Sequence, residues 1–339
     1  MELPRRFRSN HHRPSSPEVP AVREPPKGEF SLRKASVVSV NQFRSQDLEV
    51  LWDRADKMRV CLKEREPLAT LRGAVVGLLF YQTSTRTYAS FASAVQRLGG
   101  GIIPMQGVEF SSVSKGESFE DTVRAIEASS DAIVLRHPEK GSASRAAEVC
   151  RVPIINAGDG PGEHPTQALL DFYTIRCELK RTEQLVVAFV GDLKYGRTVH
   201  SLARLLAPMG AHLLCVSPED LRLPEGLRQE LVAAGAKVEE SVSFERAIAE
   251  TQVLYMTRVQ RNMMQTEKER NQPDPYILTP DLLVRARPAG EMIVMHPFPR
   301  NSEIATSCDP DPRSAYFRQM EYANPVRMAL LDLVLGRVV

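Results

Sequence analysis

Two hydroxyls and a guanidinium follow one another in Ser84-Thr85-Arg86-Thr87, after the apolar run Val75–Phe80 and before the helical run Tyr88–Leu98. The free N–H groups and dipole of a helix start attract anions, and hydroxyls beside a planar guanidinium suit a phosphate. The same residues also fit an ordinary cap by Ser84 or Thr85 with Arg86 in water. A second polar segment, Ser111-Ser112-Val113-Ser114-Lys115-Gly116-Glu117-Ser118, carries a lone lysine of the kind that usually faces solvent. Arg136-His137-Pro138 closes the apolar run Ala132–Leu135. In Asn156-Ala157-Gly158-Asp159-Gly160-Pro161-Gly162-Glu163-His164-Pro165-Thr166-Gln167 the glycines permit a tight path, and Pro165 suits a first helical residue. His164 and Gln167 then lie three apart on one helical face. A neutral histidine there either donates to a polarised carbonyl or simply faces water.

Gly191-Asp192-Leu193-Lys194-Tyr195-Gly196-Arg197-Thr198 reads G-x-x-x-x-G-R-T, one residue from a P-loop. The missing lysine is the group that reaches the β- and γ-phosphates, so nucleotide binding stands only as an alternative. Thr257-Arg258-Val259-Gln260 follows the run Val253–Met256, and His296-Pro297-Phe298-Pro299-Arg300 follows Met292–Met295. Two prolines stiffen the latter loop. His200 and His296 have no comparable setting and read as structural. These segments supply Arg, Lys, Ser/Thr, His and Gln, but no nucleophile–base pair and no metal-ligand set. Such a group binds a dianion and a polarised carbonyl and acts by positioning and electrostatics.

Separate motifs need a scaffold that brings them together. Continuous apolar runs at Val75–Phe80, Ala132–Leu135, Val152–Ile155, Leu185–Val190, Leu213–Val216, Val253–Met256 and Met292–Met295 read as buried strands. Helical patterns separate most of them, among them Phe43 to Leu62 and Pro165 to Lys180. Alternation of this kind means an α/β fold with parallel sheets, whose ligands bind beyond the carboxyl ends of strands. The motifs fall at those ends. The 339 residues suggest two domains at roughly 100–200 residues each. The reading is a tail over 1–36, domains over 37–178 and 179–310, and a C-terminal helix in 311–339 that packs back on the first domain.

Composition narrows the partners. The 44 basic and 42 acidic residues leave a net charge of +2, which argues against nucleic acid or a membrane surface. Of the basic residues 34 are arginine, which fits either anion recognition or genomic composition until the motifs decide. No apolar stretch approaches the roughly 18 residues of a membrane span, and no signal-peptide core follows the start. Residues 1–30 hold six prolines and read as disordered. Arg5, Arg6, Arg8 and Arg13 hint at a transit peptide, but Glu2, Glu18, Glu24 and Glu29 oppose it. Five scattered cysteines fit a reducing, cytoplasmic setting. Ser36 follows a basic run that a basophilic kinase could read, although a solvated linker is the preferred reading.

In order and spacing these motifs resemble the aspartate carbamoyltransferase catalytic chain over residues 37–337. The nearest likeness is to the carbamoyltransferase domain of animal multifunctional pyrimidine-synthesis proteins, where a long linker precedes the domain. The resemblance implies transfer of the carbamoyl group from carbamoyl phosphate to the amine of L-aspartate, with no cofactor and no metal. It implies that Ser84, Thr85, Arg86 and Thr87 hold the phosphate and that Arg136 bridges phosphate and carbonyl. Thr87 and His164 would stabilise the developing oxyanion. Gln167 and the carbonyls at Pro297 and Phe298 would orient the carbamoyl NH2, and Arg197, Arg258 and Gln260 would hold aspartate. It further implies homotrimers with shared sites, Ser111 and Lys115 reaching a neighbour's site and Lys115 touching both substrates. Other pyrimidine-pathway domains would be further partners. An ornithine-using relative would carry cysteine where Pro297 stands. Two departures, Arg261-Asn262-Met263-Met264 after Gln260 and Tyr322-Ala323-Asn324-Pro325 near the end, leave a weakened or regulatory paralogue as the alternative.

Overall fold

In the computed structural model, residues 32–107, 112–260 and 275–336 are described. The continuous apolar runs become central strands. β1 (Val75–Phe80) is buried from its second residue onward, as a strand covered on both faces must be. It pairs in parallel with β2 (Gly101–Gln106) on one side and with β3 (Ala132–His137) on the other, and β4 (Ile154–Asp159) lies beyond β3. The register sets Val75 opposite Gly101 and Val76 opposite Ala132.

The second sheet is also fully parallel. It contains β5 (Val186–Val190), β6 (His212–Val216), β7 (Lys237–Glu239), β8 (Val253–Met256) and β9 (Ile293–Met295), in the order β7-β6-β5-β8-β9. Each sheet therefore reverses its winding once. In the first the switch lies between β1 and β3, and in the second between β5 and β8. Such switch points open a crevice at the carboxyl ends of the strands.

Ten α-helices flank the sheets among the described residues. They are α1 (Ser45–Glu64), α2 (Thr85–Arg97), α3 (Phe119–Glu127), α4 (Ser142–Val149), α5 (Pro165–Leu179), α6 (Arg197–Leu206), α7 (Glu225–Ala233), α8 (Phe244–Glu250), α9 (Pro280–Leu283) and α10 (Tyr316–Leu335). One apolar core joins Leu79, Ile133 and Leu135 to Val123, Ala143 and Ala146. A second joins Ala188, Val190, Leu214 and Met256 to Phe244, Ile248 and Tyr316. α10 leaves the second sheet and packs on α1, α2 and α5. Trp52 of α1 meets Phe172 of α5 edge-on, with ring centroids 6.0 Å apart.

Several elements differ from the sequence reading. β2 and β7 were not expected. β2 contains Pro104 and stays half-exposed, which an edge strand tolerates because one side needs no N–H donors. β4 runs on to Asp159, so Asn156-Ala157-Gly158-Asp159 is strand rather than loop. Tyr322-Ala323-Asn324-Pro325 lies inside α10 and does not precede it. Residues 32–36, assigned to the tail by sequence, are tied to the folded chain, although Arg33 and Lys34 are exposed. Leu32 is buried, the Lys34 N–H donates to the Val334 carbonyl at 2.9 Å, and the Ser36 hydroxyl accepts the Ile154 N–H at 3.0 Å. The rest of the expected tail lies outside the described residues, as does Arg261-Asn262-Met263-Met264. All five cysteines are unpaired. Among the described residues no helix is long and apolar enough to cross a membrane, and no group of three or more His, Cys, Asp or Glu could hold a metal ion.

Candidate active site

The two switch points open onto one cavity of about 1210 Å³. Twelve of the residues singled out by sequence line it: Ser84, Thr85, Arg86, Thr87, Arg136, His164, Gln167, Arg197, Arg258, Gln260, Pro297 and Phe298. Lys115 does not line it; it is exposed at the end of a short 3-10 turn, Ser112–Lys115. Ser111 lies outside the described residues.

Each wall follows from local structure. The chain leaves β1 and enters α2 with Ser84 at the N-cap in extended conformation, and Ser84 makes no side-chain cap bond. The expected hydroxyl cap is therefore absent, and the helix-start N–H groups stay open to an anion. Arg86 lies 5.7 Å from the Phe298 ring centroid. Burial and the charge of Arg258 lower its pKa. Arg136, at the carboxyl end of β3, donates from Nη1 to the Ala157 carbonyl at 3.0 Å, while its Nε has no partner. Burial first, then Arg197, Arg327 and Arg86, bring its guanidinium down to about 9, still protonated at neutral pH.

His164 stands at the N-cap of α5 with Pro165 as the first helical residue. It is buried, and its Nδ1 lies 3.4 Å from the Thr166 hydroxyl. Burial, followed by Arg197, Arg136 and Arg327, pushes its pKa well below the usual histidine value. The imidazole is therefore neutral. Gln167, one turn on, donates from Nε2 to Asp171 Oδ1 at 2.9 Å.

Arg197 opens α6 and donates from Nη1 to the Gly160 carbonyl at 2.8 Å. Gly158, with φ of +118°, packs against both guanidiniums, since a Cβ there would lie 3.0 Å from Arg136 Nη1 and Arg197 Nη2. Arg258, just past β8, donates to Gln260 Oε1 at 3.1 Å. The loop after β9 carries Pro297 and Phe298. The Phe298 N–H donates to His296 Nδ1 at 2.8 Å, and His296 Nε2 pairs with Glu303 at 2.7 Å. Although His296 lines the cavity, both ring nitrogens are engaged in holding the loop. His200 is likewise occupied, with Nε2 2.7 Å from the Leu193 carbonyl.

Gly191–Thr198 does not form a phosphate nest. Asp192 Oδ1 accepts the N–H groups of Lys194 and Tyr195, and its Oδ2 accepts that of Gln260. The Leu193 N–H goes to the Leu221 carbonyl, and the Arg197 N–H to the Tyr195 carbonyl. Donors that a P-loop aims at a nucleotide are used up inside the protein.

Sequence reasoning missed Arg327. It sits on α10 only 2% exposed and lines the same cavity. It bonds Ser90 and lies 4.8 Å from the Phe91 ring centroid. Burial lowers its pKa to about 9, against the charge of Asp171. One signal was available: a single charge inside the apolar stretch Val326-Arg327-Met328-Ala329-Leu330-Leu331. Arg86, Arg136, Arg197, Arg258 and Arg327 make no ion pair among the described residues. A cavity lined by unneutralised guanidiniums, with a neutral imidazole and a carboxamide between them, is built for a multiply anionic ligand carrying a carbonyl and an N–H group.

Comparison with known proteins points the same way. Residues 35–177 match the family described as aspartate/ornithine carbamoyltransferase, carbamoyl-P binding domain, and residues 183–334 match its Asp/Orn binding domain. The chain is 45% identical to an aspartate carbamoyltransferase catalytic subunit of Thermococcus gammatolerans, over 88% of this chain and 97% of that one. It is 47% identical to the multifunctional protein pyr1-3 of Dictyostelium discoideum over 90% of this chain, but spans only 14% of that relative's length. Among solved structures, aspartate transcarbamoylase from Trypanosoma cruzi in complex with carbamoyl phosphate and aspartate superposes with a TM-score of 0.85 at 37% identity, covering 90% of this chain and 98% of that one. With both halves matched, and relatives of this identity spanned almost whole, the chain belongs to the aspartate/ornithine carbamoyltransferase family.

Proposed function

We propose that this chain is an aspartate carbamoyltransferase. The amine of L-aspartate attacks the carbonyl carbon of carbamoyl phosphate, a C–N bond forms, and the C–O bond to phosphate breaks. Phosphate departs with the electron pair, and the amine gives up a proton. The product is N-carbamoyl-L-aspartate. Ser84, Thr85, Arg86 and Thr87 bind the phosphate at the start of α2. Arg136 reaches both phosphate and carbonyl oxygen. Thr87 and neutral His164 donate to that oxygen as negative charge grows on it. Gln167 and the carbonyls at Pro297 and Phe298 accept from the carbamoyl NH2. Arg197, Arg258 and Gln260 bind the aspartate carboxylates, each guanidinium matching one carboxylate.

The observation that carries this reading is the convergence of four guanidiniums without ion-pair partners among the described residues, Arg86, Arg136, Arg197 and Arg258, on the cavity that also holds His164 and Gln167. Two carboxylates need two guanidiniums, which favours aspartate over ornithine. A homotrimer belongs to the same proposal, with Ser111 and Lys115 completing a neighbour's site and Lys115 touching both substrates. So do a cytoplasmic setting and association with other pyrimidine-pathway domains.

The test is a turnover assay with carbamoyl phosphate and either aspartate or ornithine. Carbamoyl-aspartate formation is expected, and preference for ornithine would overturn the substrate assignment. A trimer that binds carbamoyl phosphate without turnover would instead mark a regulatory paralogue.

A further inference from the structure

Asp171 lies one helical turn beyond Gln167 on α5 and is fully buried. Its carboxylate accepts from three side chains on three elements. Gln167 Nε2 (2.9 Å) and Gln319 Nε2 of α10 (2.6 Å) donate to Oδ1, and the Tyr255 hydroxyl of β8 (2.6 Å) donates to Oδ2. The other charged group facing it is Arg327 of α10, which favours the anion. Oδ1 faces both amides, and it accepts from them whether Oδ2 is ionised or carries a proton turned toward Tyr255, so each carboxamide presents its NH2 end to it. That requirement fixes two otherwise ambiguous amides. The Gln167 carboxamide is left with Oε1, an acceptor, for the cavity that Gln167 lines. Gln319 Oε1 takes the His296 N–H at 3.0 Å, at the root of the loop that carries the Pro297 and Phe298 carbonyls.

We infer that Asp171 is a positioning residue that makes this cavity select an acyl phosphate bearing an amino group over one bearing a methyl group. The inference rests on the carbamoyltransferase reading and deepens it. Without Asp171, nothing on α5 holds the Gln167 amide in one sense. A rotating amide offers its NH2 as often as its oxygen, and a donor facing the carbamoyl NH2 repels it. The phosphate half of the ligand touches none of this network, so its affinity should not change.

The experiment uses the full chain with aspartate as acceptor. It measures the KM of carbamoyl phosphate and the inhibition constants of acetyl phosphate, in which CH3 replaces NH2, and of inorganic phosphate. In Asp171→Leu the carbamoyl phosphate KM should rise about tenfold, the equivalent of one hydrogen bond, while both inhibition constants stay unchanged. Asp171→Asn should restore the wild-type preference. Its Oδ1 still accepts from both amides, and Tyr255 can turn to accept from Nδ2. If the leucine variant does not fold, Asp171→Leu/Tyr255→Phe leaves one fewer buried donor unpaired and should show the same selectivity loss.

A folded Asp171→Leu protein with unchanged preference for carbamoyl over acetyl phosphate overturns the proposal. So does a parallel loss of affinity for all three phosphates, the signature of general damage. If the wild-type chain itself shows no turnover of carbamoyl phosphate, the reaction assignment fails and this inference with it. Wild-type turnover with normal selectivity in the variants sinks Asp171 alone.

Discussion

A histidine packed beside guanidiniums has little room for a second positive charge. His164 is therefore neutral over the working range, because both burial and three arginines disfavour the imidazolium. In the tautomer whose Nδ1 accepts from the Thr166 hydroxyl, the ring N–H is at Nε2. His164→Ala should lower kcat by about 10²-fold, the usual cost of one oxyanion donor. Any acid limb of the wild-type pH–kcat profile should survive, because His164 does not titrate there; a limb that disappears in the variant would refute this. The arginines are held at a thermodynamic cost. Arg136→Met should abolish turnover yet raise stability by about 1–4 kcal/mol in phosphate-free buffer, since it removes a desolvated, unpaired cation. Thermal melts with and without phosphate check this, because phosphate should stabilise the wild type more than the variant, which keeps only the Ser84–Thr87 contacts. Asp171 adds a pH signature. Burial raises its carboxyl from 3.8 to about 7. Between those values the folded protein keeps a proton that the unfolded chain has released, so stability falls as pH rises through the window. Asp171→Asn should remove that slope from melts recorded across it.

At the scale of elements, the site is a consequence of two reversals of winding. Arg86 and Arg136 follow or end β1 and β3, the strands that flank the first switch point. Arg197 and Arg258 follow β5 and β8, which flank the second. Residues far apart in sequence meet because both sheets are parallel and expose the same end. Gly158 is the hinge of that meeting. It adopts φ of +118° and offers no side chain to the guanidiniums on either side. Gly158→Ala should therefore push Arg136 and Arg197 aside, raising the KM of both substrates while the protein still folds; unchanged steady-state kinetics would rule the arrangement out. Glu163 ties the elements together. It accepts from the Ser39 hydroxyl (2.6 Å) and Val40 N–H (3.1 Å) before α1, and from the Ser201 hydroxyl of α6 (3.3 Å). Its position next to His164 joins the start of α5 to both neighbours.

For the whole molecule, the exposed Lys115 is the informative residue. In the proposed trimer it acts in a neighbour's cavity. Lys115→Ala and Arg86→Ala proteins should each be inactive, since each lacks one half of every site. Mixed in equal amounts and reassembled, they should recover about a quarter of wild-type activity, because one site in four pairs an intact Arg86 with an intact Lys115. Lack of recovery in a carbamoyl-aspartate assay, with hybrid trimers confirmed by native mass spectrometry, would leave Lys115 without a role in a shared site.

The sequence determined the chemistry and the class of fold. Apolar runs long enough for buried strands, separated by helical periodicity, specify a parallel α/β architecture from local patterns alone. Pro165 after His164, and polar segments placed after apolar runs, mark most of the cavity lining in the sequence itself. Tertiary structure decided the rest. β2 was invisible because an edge strand carries Pro104 and needs no continuous apolar run. The P-loop likeness of Gly191–Thr198 dissolved once Asp192 was seen to take its N–H groups. Arg327, far along the chain on α10, could not be tied to Arg136 by spacing. Nor could the neutrality of His164 or the fixed sense of the Gln167 amide be read locally. Charge state and hydrogen-bond direction depend on desolvation and on groups summed through space, and only the folded chain sets those distances.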